Sequence, residues 1–430
     1  MTHLSYEEMQ RRRYAADRSV TRRSLLVRGG GALVAMSGLP GLLAACGDDG
    51  GAASGGNGEQ LPEIREIGLS LTEDPRILGA YKQQTGNTVV GRSDNLGNQI
   101  TFWKQNNEQF QINQVNFNQN GAIADTIRNI PATDIPAWND KVVPLFREPD
   151  VPGYAESGWP IAGTYTQAAI DSGSHDELIG VPTWYGFDAF GYLNGKAKGD
   201  LESYGAIFDP ANRGRATLLN EPITSVMKVA TYLQGTGQAD FQGPINNLTR
   251  SDLDTVFEFL TELKRAGQFR LFWSDFGQLV DLLTAGEVHV GDFWASAVAA
   301  ARQNDADAVF VNDPAEGSNG WIQGATISKA AGNRYEAATA YVNWFLDSGV
   351  PGQVLGLQGY YSPRQDRVKP LMEETNETNP KFSDWEYWYE GAVPDERPSL
   401  ETRLEKVADW QAYPDEFGEY SARWTRFTSA

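Results

Sequence analysis

Residues 64–90 read IREIGLSLTEDPRILGAYKQQTGNTVV, and the fold turns on them. IREIGLSL is apolar and β-branched enough for a strand. Pro75 suits the first turn of a helix, where its missing N–H is not needed, and Gly86 suits the stop, so the spacing predicts a helix over 75–84. Val89 and Val90 then begin a second strand. Strand, helix and strand at this spacing open an α/β domain with a parallel sheet.

Working outward, residues 95–120 are rich in asparagine and glutamine and read as a helix and a loop. GVPTWYGFD at 180–188 sets Trp184 and Tyr185 between Pro182 and Gly186, a composition that fits a chain crossing between two bodies. It leads into the strand AFGYLN. Asp209-Pro210 and Gly214 mark turns before the strand ATLL, and residues 224–233 follow as a helix. The clearest helix covers 251–269, with Leu253, Val256, Phe257, Leu260 and Leu263 on one face and Ser251 as N-cap. Another over 276–285 stops at Gly286, and EVHVGDFW reads as a strand. Residues 335–346 form an amphipathic helix, and the acidic, aromatic tail over 385–427 is expected to be mostly helical. Two short runs stand out, GEVHVGDFWAS at 286–296 and GWIQG at 320–324. Each sets one tryptophan beside glycine with few charges, so the indole is either a core plug or a platform for a ligand.

Before the body stands an address. Arg22 and Arg23 form a twin-arginine pair in TRRSLL, and the small-residue apolar run 29–45 is short for a membrane span. It ends at Leu43-Ala44-Ala45-Cys46, which resembles a lipobox whose cysteine is acylated after cleavage. Cys46 is the only cysteine, so no disulfide or thiolate metal cluster forms within the chain. Residues 1–46 are therefore read as a lipoprotein signal and 47–62 as a flexible tether, of which 47–58 spans about 20 Å. An exported, lipid-anchored protein at the periplasmic or extracytoplasmic face of the membrane is expected. Beyond the signal, 29 basic residues face 53 acidic ones. So acidic a surface repels nucleic acid.

The order of these pieces resembles the periplasmic-type solute-binding proteins of ABC importers, especially the spermidine/putrescine-binding branch, over most of residues 64–424. AYKQQTG, VPTWYG, FDPANRGRATLL, AGEVHVGDFW, AATAYVNWFLDS and LQGYYSP carry the likeness in that order. The resemblance implies an α/β, two-lobed periplasmic-binding-protein fold with an interlobe cleft, crossing hinge segments and closure around a ligand. On that pattern, lobe 1 takes residues 63–187 with 322–368 and lobe 2 takes 188–321 with 369–430. ABC permease subunits are the implied partners, and a monomer without cofactor is expected.

Trp294 and Trp321 match the tryptophans that sandwich a polyamine's methylene chain in this family; Tyr360 matches a cleft tyrosine and Gln411 a polar contact. Elsewhere the pattern departs. Leu71 and Asp74 stand where the family has a tryptophan and a tyrosine, Pro222 and Ser225 where it has two amine-binding carboxylates, and Gln323 replaces a third. Gln323 and Ser225 can hydrogen-bond an ammonium but cannot neutralise it, and an unpaired charge taken from water costs several kcal/mol. Asp74, Asp188, Glu221 and Asp292 are the carboxylates that would restore negative charge from new directions. On a strand, Asp292 and Trp294 would share a face. Trp184 and Tyr185 are further cleft candidates, with packing between the lobes as the alternative.

The expected function is capture of a small solute, preferably cationic or amine-containing. Tryptophan faces serve a cation or a sugar equally, so a neutral sugar or polyol is the alternative. The adjacent Tyr360 and Tyr361 raise a ferric-binding reading, although only His3, His175 and His289 occur and no HExxH spacing appears. An exported carbohydrate-active enzyme needs only two carboxylates, and among 53 acidic residues some pair will always look suitable. No GxSxG elbow, P-loop or dinucleotide fingerprint stands in a strand-to-helix setting.

Overall fold

In chain order the strands are β1 (Ile64–Gly68), β2 (Val89–Ser93), β3 (Ile112–Asn116), β4 (Val181–Asp188), β5 (Phe190–Leu193), β6 (Ala216–Leu219), β7 (Phe269–Trp273), β8 (Val290–Gly291), β9 (Ala308–Val311), β10 (Ser318–Ser328) and β11 (Val407–Trp410). The computed structural model describes residues 60–149, 151, 153, 159–378 and 400–429. Residues 1–59, on which the readings of an export signal, of Cys46 acylation and of a tether fall, and residues 379–399 of the tail lie outside the described residues.

The opening stretch folds as its sequence predicts. β1 and β2 pair in parallel around α1 (Pro75–Thr85), which Asp74 caps by accepting from the Arg76 amide. Gly86 closes α1 at φ 76°, a left-handed conformation that a residue without Cβ adopts at little cost. After α2 (Leu96–Asn106), β3 adds a third parallel strand where only a loop is expected. Its residues, INQVN, look too polar for a sheet interior, yet all five are buried. Their amides find partners inside: Gln99 Nε2 donates to Asn113 Oδ1 at 2.6 Å, and Thr183 Oγ1 to Gln114 Oε1 at 3.0 Å. A buried amide is tolerated on that condition.

Two sheets result. The larger runs β11-β10-β3-β1-β2, with β4 and the two-residue strand Ile127–Arg128 also on β10; the smaller runs β7-β6-β8-β5-β9. Each has its own apolar core. One gathers Ile64, Ile77, Ile112, Val181, Ile322 and Tyr341. The other gathers Phe190, Leu218, Val226, Leu253 and Val290 with Tyr420, Trp424 and Phe427 of the last helix. The chain passes between the sheets from β4 to β5 and from β9 to β10. It passes again from β11 on the larger sheet to that last helix on the smaller core.

Between β6 and β9 lie α3 (Pro222–Gly235), α4 (Arg250–Arg265), α5 (Phe276–Ala285) and α6 (Ala295–Arg302); α7 (Tyr335–Asp347) and α8 (Phe417–Ser429) come later. Two expectations are corrected. The cap of α4 is Thr249 rather than Ser251, because Thr249 and Asp252 satisfy each other's backbone N–H reciprocally, two donors in place of one. The run EVHVGDFW is a strand only at Val290–Gly291; Trp294, at φ −81° and ψ 141°, already stands before α6. Asp292 and Trp294 therefore do not share a strand face. The described part of the tail is mostly helical, with one strand, Val407–Trp410, that pairs with β10. Among the described residues no helix is long and apolar enough to cross a membrane.

One pair of acids belongs to the larger sheet alone. Glu66 on β1 is fully buried against Tyr341 of α7 and Gln114 of β3, and both carboxyl oxygens of Glu73 are buried beside it. Burial lifts Glu66 to about 8. Burial, with repulsion from Glu66, lifts Glu73 to about 11. Both are raised, so the stability they confer is present in full below the ordinary carboxyl range and is lost as pH climbs toward the folded values. The loss is about 1.4 kcal/mol per pH unit for each proton retained. Calorimetric unfolding between pH 6 and 8 is expected to give a falling midpoint in the native protein and a shallower fall in Glu73→Gln; parallel slopes would refute the assignment.

Candidate functional site

The antiparallel register of β4 and β10 sorts the candidate residues by face. Asp188 lies opposite Asn319, Gly186 opposite Trp321, and Trp184 beside Gln323. Opposed residues share a face and neighbours along a strand alternate, so these six point one way. Tyr185, Phe187 and Ile322 point the other way. Gly186 makes room for the indole of Trp321, since a Cβ there would lie 2.5 Å from the ring. Trp184, Trp321 and Tyr360 then meet edge to face, with ring centres 4.9 to 5.4 Å apart. On the opposite face Tyr185 is fully buried against Tyr361, Phe146 and Trp410. The structure thus places the two aromatics of VPTWYG on opposite faces of β4, both packed in the core of the larger sheet.

The wall formed by Trp184, Trp321 and Tyr360 faces the elements of the smaller sheet. The Tyr360 hydroxyl and Ser296 Oγ of α6 share a hydrogen bond of 2.7 Å. Beside α6, Trp294 is half-buried and stands edge to face on Trp273 at 4.9 Å. Gln411, just past β11, ties the bodies together: its Nε2 donates to Asp188 Oδ2 at 2.7 Å. Its Oε1 accepts from Asn118 Nδ2 at 2.9 Å and from Thr224 Oγ1 of α3 at 3.3 Å.

Thr224 belongs to a stripe. Thr224, Lys228 and Thr231 recur at helical spacing on α3, and Thr231 accepts from Asn319 Nδ2 of β10 at 2.8 Å. Lys228 lies between these two contacts. Its ammonium is fully buried and pairs with Asp292 Oδ1, while Asp292 Oδ2 is buried without a hydrogen-bond partner among the described residues. Asp188 stands within electrostatic reach of both. Burial pushes its carboxyl up to about 6, Lys228 opposes the rise and Asp292 adds to it. Glu221 receives the Thr224 amide at 2.8 Å as the N-cap of α3, and burial raises its carboxyl against those backbone bonds.

The remaining candidates have other partners. Asp74 holds the N-terminus of α1 and pairs with Arg76 at 2.9 Å. Ser225 Oγ folds back onto the Leu219 carbonyl at 2.6 Å. Gln323 Nε2 donates to the Gln114 carbonyl at 3.0 Å, inside the larger sheet. The two tyrosines of the ferric-binding reading engage different groups, Tyr360 with Ser296 and Tyr361 with Arg403. Among the described residues, no group of three or more His, Cys, Asp or Glu is placed to hold a metal ion.

Sequence reasoning misses Lys228, Asn118 and Trp273. The signal for Lys228 is present in PITSVMKVATYL, where threonine, lysine and threonine recur at helical spacing in an otherwise apolar run.

The family model for bacterial extracellular solute-binding protein matches residues 100–382, more than half of the chain. The chain is a member of that family. Solute-binding proteins hold ligands rather than transform them, so the carbohydrate-active enzyme falls away. Solved structures agree in fold. The spermidine/putrescine ABC transporter substrate-binding protein of Streptococcus pneumoniae is 16% identical, with 86% of this chain and 99% of that one covered at a TM-score of 0.60. A putative spermidine/putrescine ABC transporter protein of Listeria monocytogenes is 15% identical, with 85% and 98% covered at 0.61. A lipoprotein of Treponema pallidum is 13% identical, with 86% and 100% covered at 0.58. Identities this low carry the two-lobed α/β binding-protein fold alone. No curated protein matches the chain. This solute-binding protein therefore has its candidate site where its two sheets face each other, between the aromatic wall and the α3 stripe.

Proposed function

We propose that this solute-binding protein is a lipid-anchored, monomeric receptor that captures a small amine-containing solute between its lobes and delivers it to an ABC permease. The observation that carries the reading is the charge at the site. Three carboxylates, Asp188, Asp292 and Glu221, stand against one ammonium, Lys228, beside Trp184, Trp321, Tyr360 and Trp294. Withdrawn carboxylates in excess favour a cation, and indole and phenol faces favour it again. Equilibrium binding is sufficient: a closed form that contacts the solute from both lobes is selected by it and recognised by the permease.

The lobe division proposed is residues 63–187 with 322–368 against 188–321 with 369–430, with 318–321 and 407–411 returned to the first because β10 and β11 belong to the larger sheet and the Gln411 amide donates to the Gly320 carbonyl. Acylation of Cys46 after twin-arginine export belongs to the same proposal and is tested by mass spectrometry of the membrane fraction for native and Cys46→Ser protein.

A neutral polyol or sugar is the second reading. It is favoured by Asn118 Oδ1 and both side-chain polar atoms of Asn120, buried without hydrogen-bond partners among the described residues. A thermal-shift screen of amines, betaines, amino acids, polyols and sugars separates the two, because a solute that binds only the folded state raises its stability by mass action. Trp294→Ala is expected to weaken the amine so found about 5- to 30-fold, since a desolvated cation on an indole is worth about 1–2 kcal/mol. An unchanged dissociation constant by calorimetry would remove Trp294 from the site.

A further inference from the structure

Lys228 is fully buried. It is held on the α3 stripe between two contacts that reach the other lobe, Thr224 with Gln411 and Thr231 with Asn319. The position that Lys228 fills, an ammonium on the Asp292 carboxylate within reach of Asp188 and close to an aromatic wall, is one that an amine of a solute would fill. The protein's own side chain supplies that amine. We infer that Lys228 is a specificity-determining residue that occupies one of the cleft's acidic positions from within, so that the site accepts a solute with one ammonium group and disfavours one with two.

The inference rests on the amine reading of this cleft and sharpens it. A second ammonium brought to the site would meet Lys228 across a dry interval, where like charges repel far more strongly than in water. A hydroxyl in its place meets no such penalty and can engage Asn118 or Gln411. Asp292 Oδ2 and Asp188 remain for the single cation.

The test uses three probes of equal length on the full chain, 4-amino-1-butanol, 1,4-diaminobutane and 1,4-butanediol, titrated by calorimetry. The native protein is expected to bind the amino alcohol at least tenfold more tightly than the diamine, and the diol more weakly than the amino alcohol. Lys228→Met is expected to reverse the order of amino alcohol and diamine. Should that variant not fold, Asp292→Asn serves: it leaves Lys228 facing Asp188 alone and is expected to weaken the amino alcohol at least tenfold. A native preference for the diamine, an unreversed order in folded Lys228→Met, or unchanged amino-alcohol binding in Asp292→Asn would overturn the role of Lys228 while leaving the amine reading standing. Preference for the diol, or binding of none of the three, would overturn both.

Discussion

Lys228→Met is expected to cost about 3–5 kcal/mol of unfolding free energy, the usual loss when one partner of a buried ion pair is removed. The reason lies less in the lost attraction than in what stays behind. Asp292 is fully buried and its second oxygen has no hydrogen-bond partner among the described residues, so the substitution strands a carboxylate beside Asp188 and Glu221. Asp292 must then take up a proton or draw in water. Placing Asp292→Asn in the same chain removes the stranded charge, and the double variant is expected to recover at least half of the loss. Urea unfolding of native, single and double variants measures this as a coupling between the two sites. Additive losses would mean that the pair contributes nothing as a pair. The prediction concerns stability without solute and is therefore independent of what the cleft binds.

The same pair marks where sequence reasoning reaches its limit. Asp292 was legible as a candidate because it sits beside Trp294 in GEVHVGDFWAS, but its partner comes from a helix 64 residues earlier. Nothing local announces that pairing. A strand over EVHVGDFW would have aligned Asp292 with Trp294; the strand ends at Gly291, and the backbone turns to start α6. Asp74 and Ser225 illustrate the same difficulty. Each is a polar residue at a position that bears on the site by resemblance, and each is engaged by its own neighbourhood, a helix end for Asp74 and a strand carbonyl for Ser225.

What was legible depended on short-range rules. The helix over 276–285 and the strand ATLL fall where punctuation and periodicity put them, because Gly286 at φ 67° ends the one and flanking turns isolate the other. β3 escaped because amide side chains disguise a buried strand when their partners, Gln99 and Thr183, lie on other elements. The two-lobed fold followed from the order of motifs. The separation of Trp184 from Tyr185 needed only the two-residue period of a strand, but which of the two faces the smaller sheet depended on the register with β10.

That register leads to the second large effect. Trp184→Ala is expected to lose about 3–5 kcal/mol, the range for deleting a large aromatic from a packed interior. Trp184 is 1% exposed and makes edge contacts with both Trp321 and Tyr360, so its removal opens a cavity under two rings at once. Its indole Nε1 has no hydrogen-bond partner among the described residues, which makes the ring rather than the N–H the stabilising part. Trp184→Phe should accordingly cost less than half as much as the alanine variant. Trp294→Ala offers the contrast, because that indole is only half-buried and touches one aromatic neighbour, Trp273. Denaturant unfolding of the three variants, followed by calorimetry with the solute found in the screen, separates support from recognition. Loss of stability and affinity together is expected for Trp184→Ala, because Trp321 and Tyr360 relax into the void. Loss of affinity with stability held within about 1 kcal/mol is expected for Trp294→Ala, as for a partly exposed side chain outside a packed core. If Trp184→Ala were instead as stable as the native protein, the aromatic wall would not be packed as the register of β4 and β10 requires.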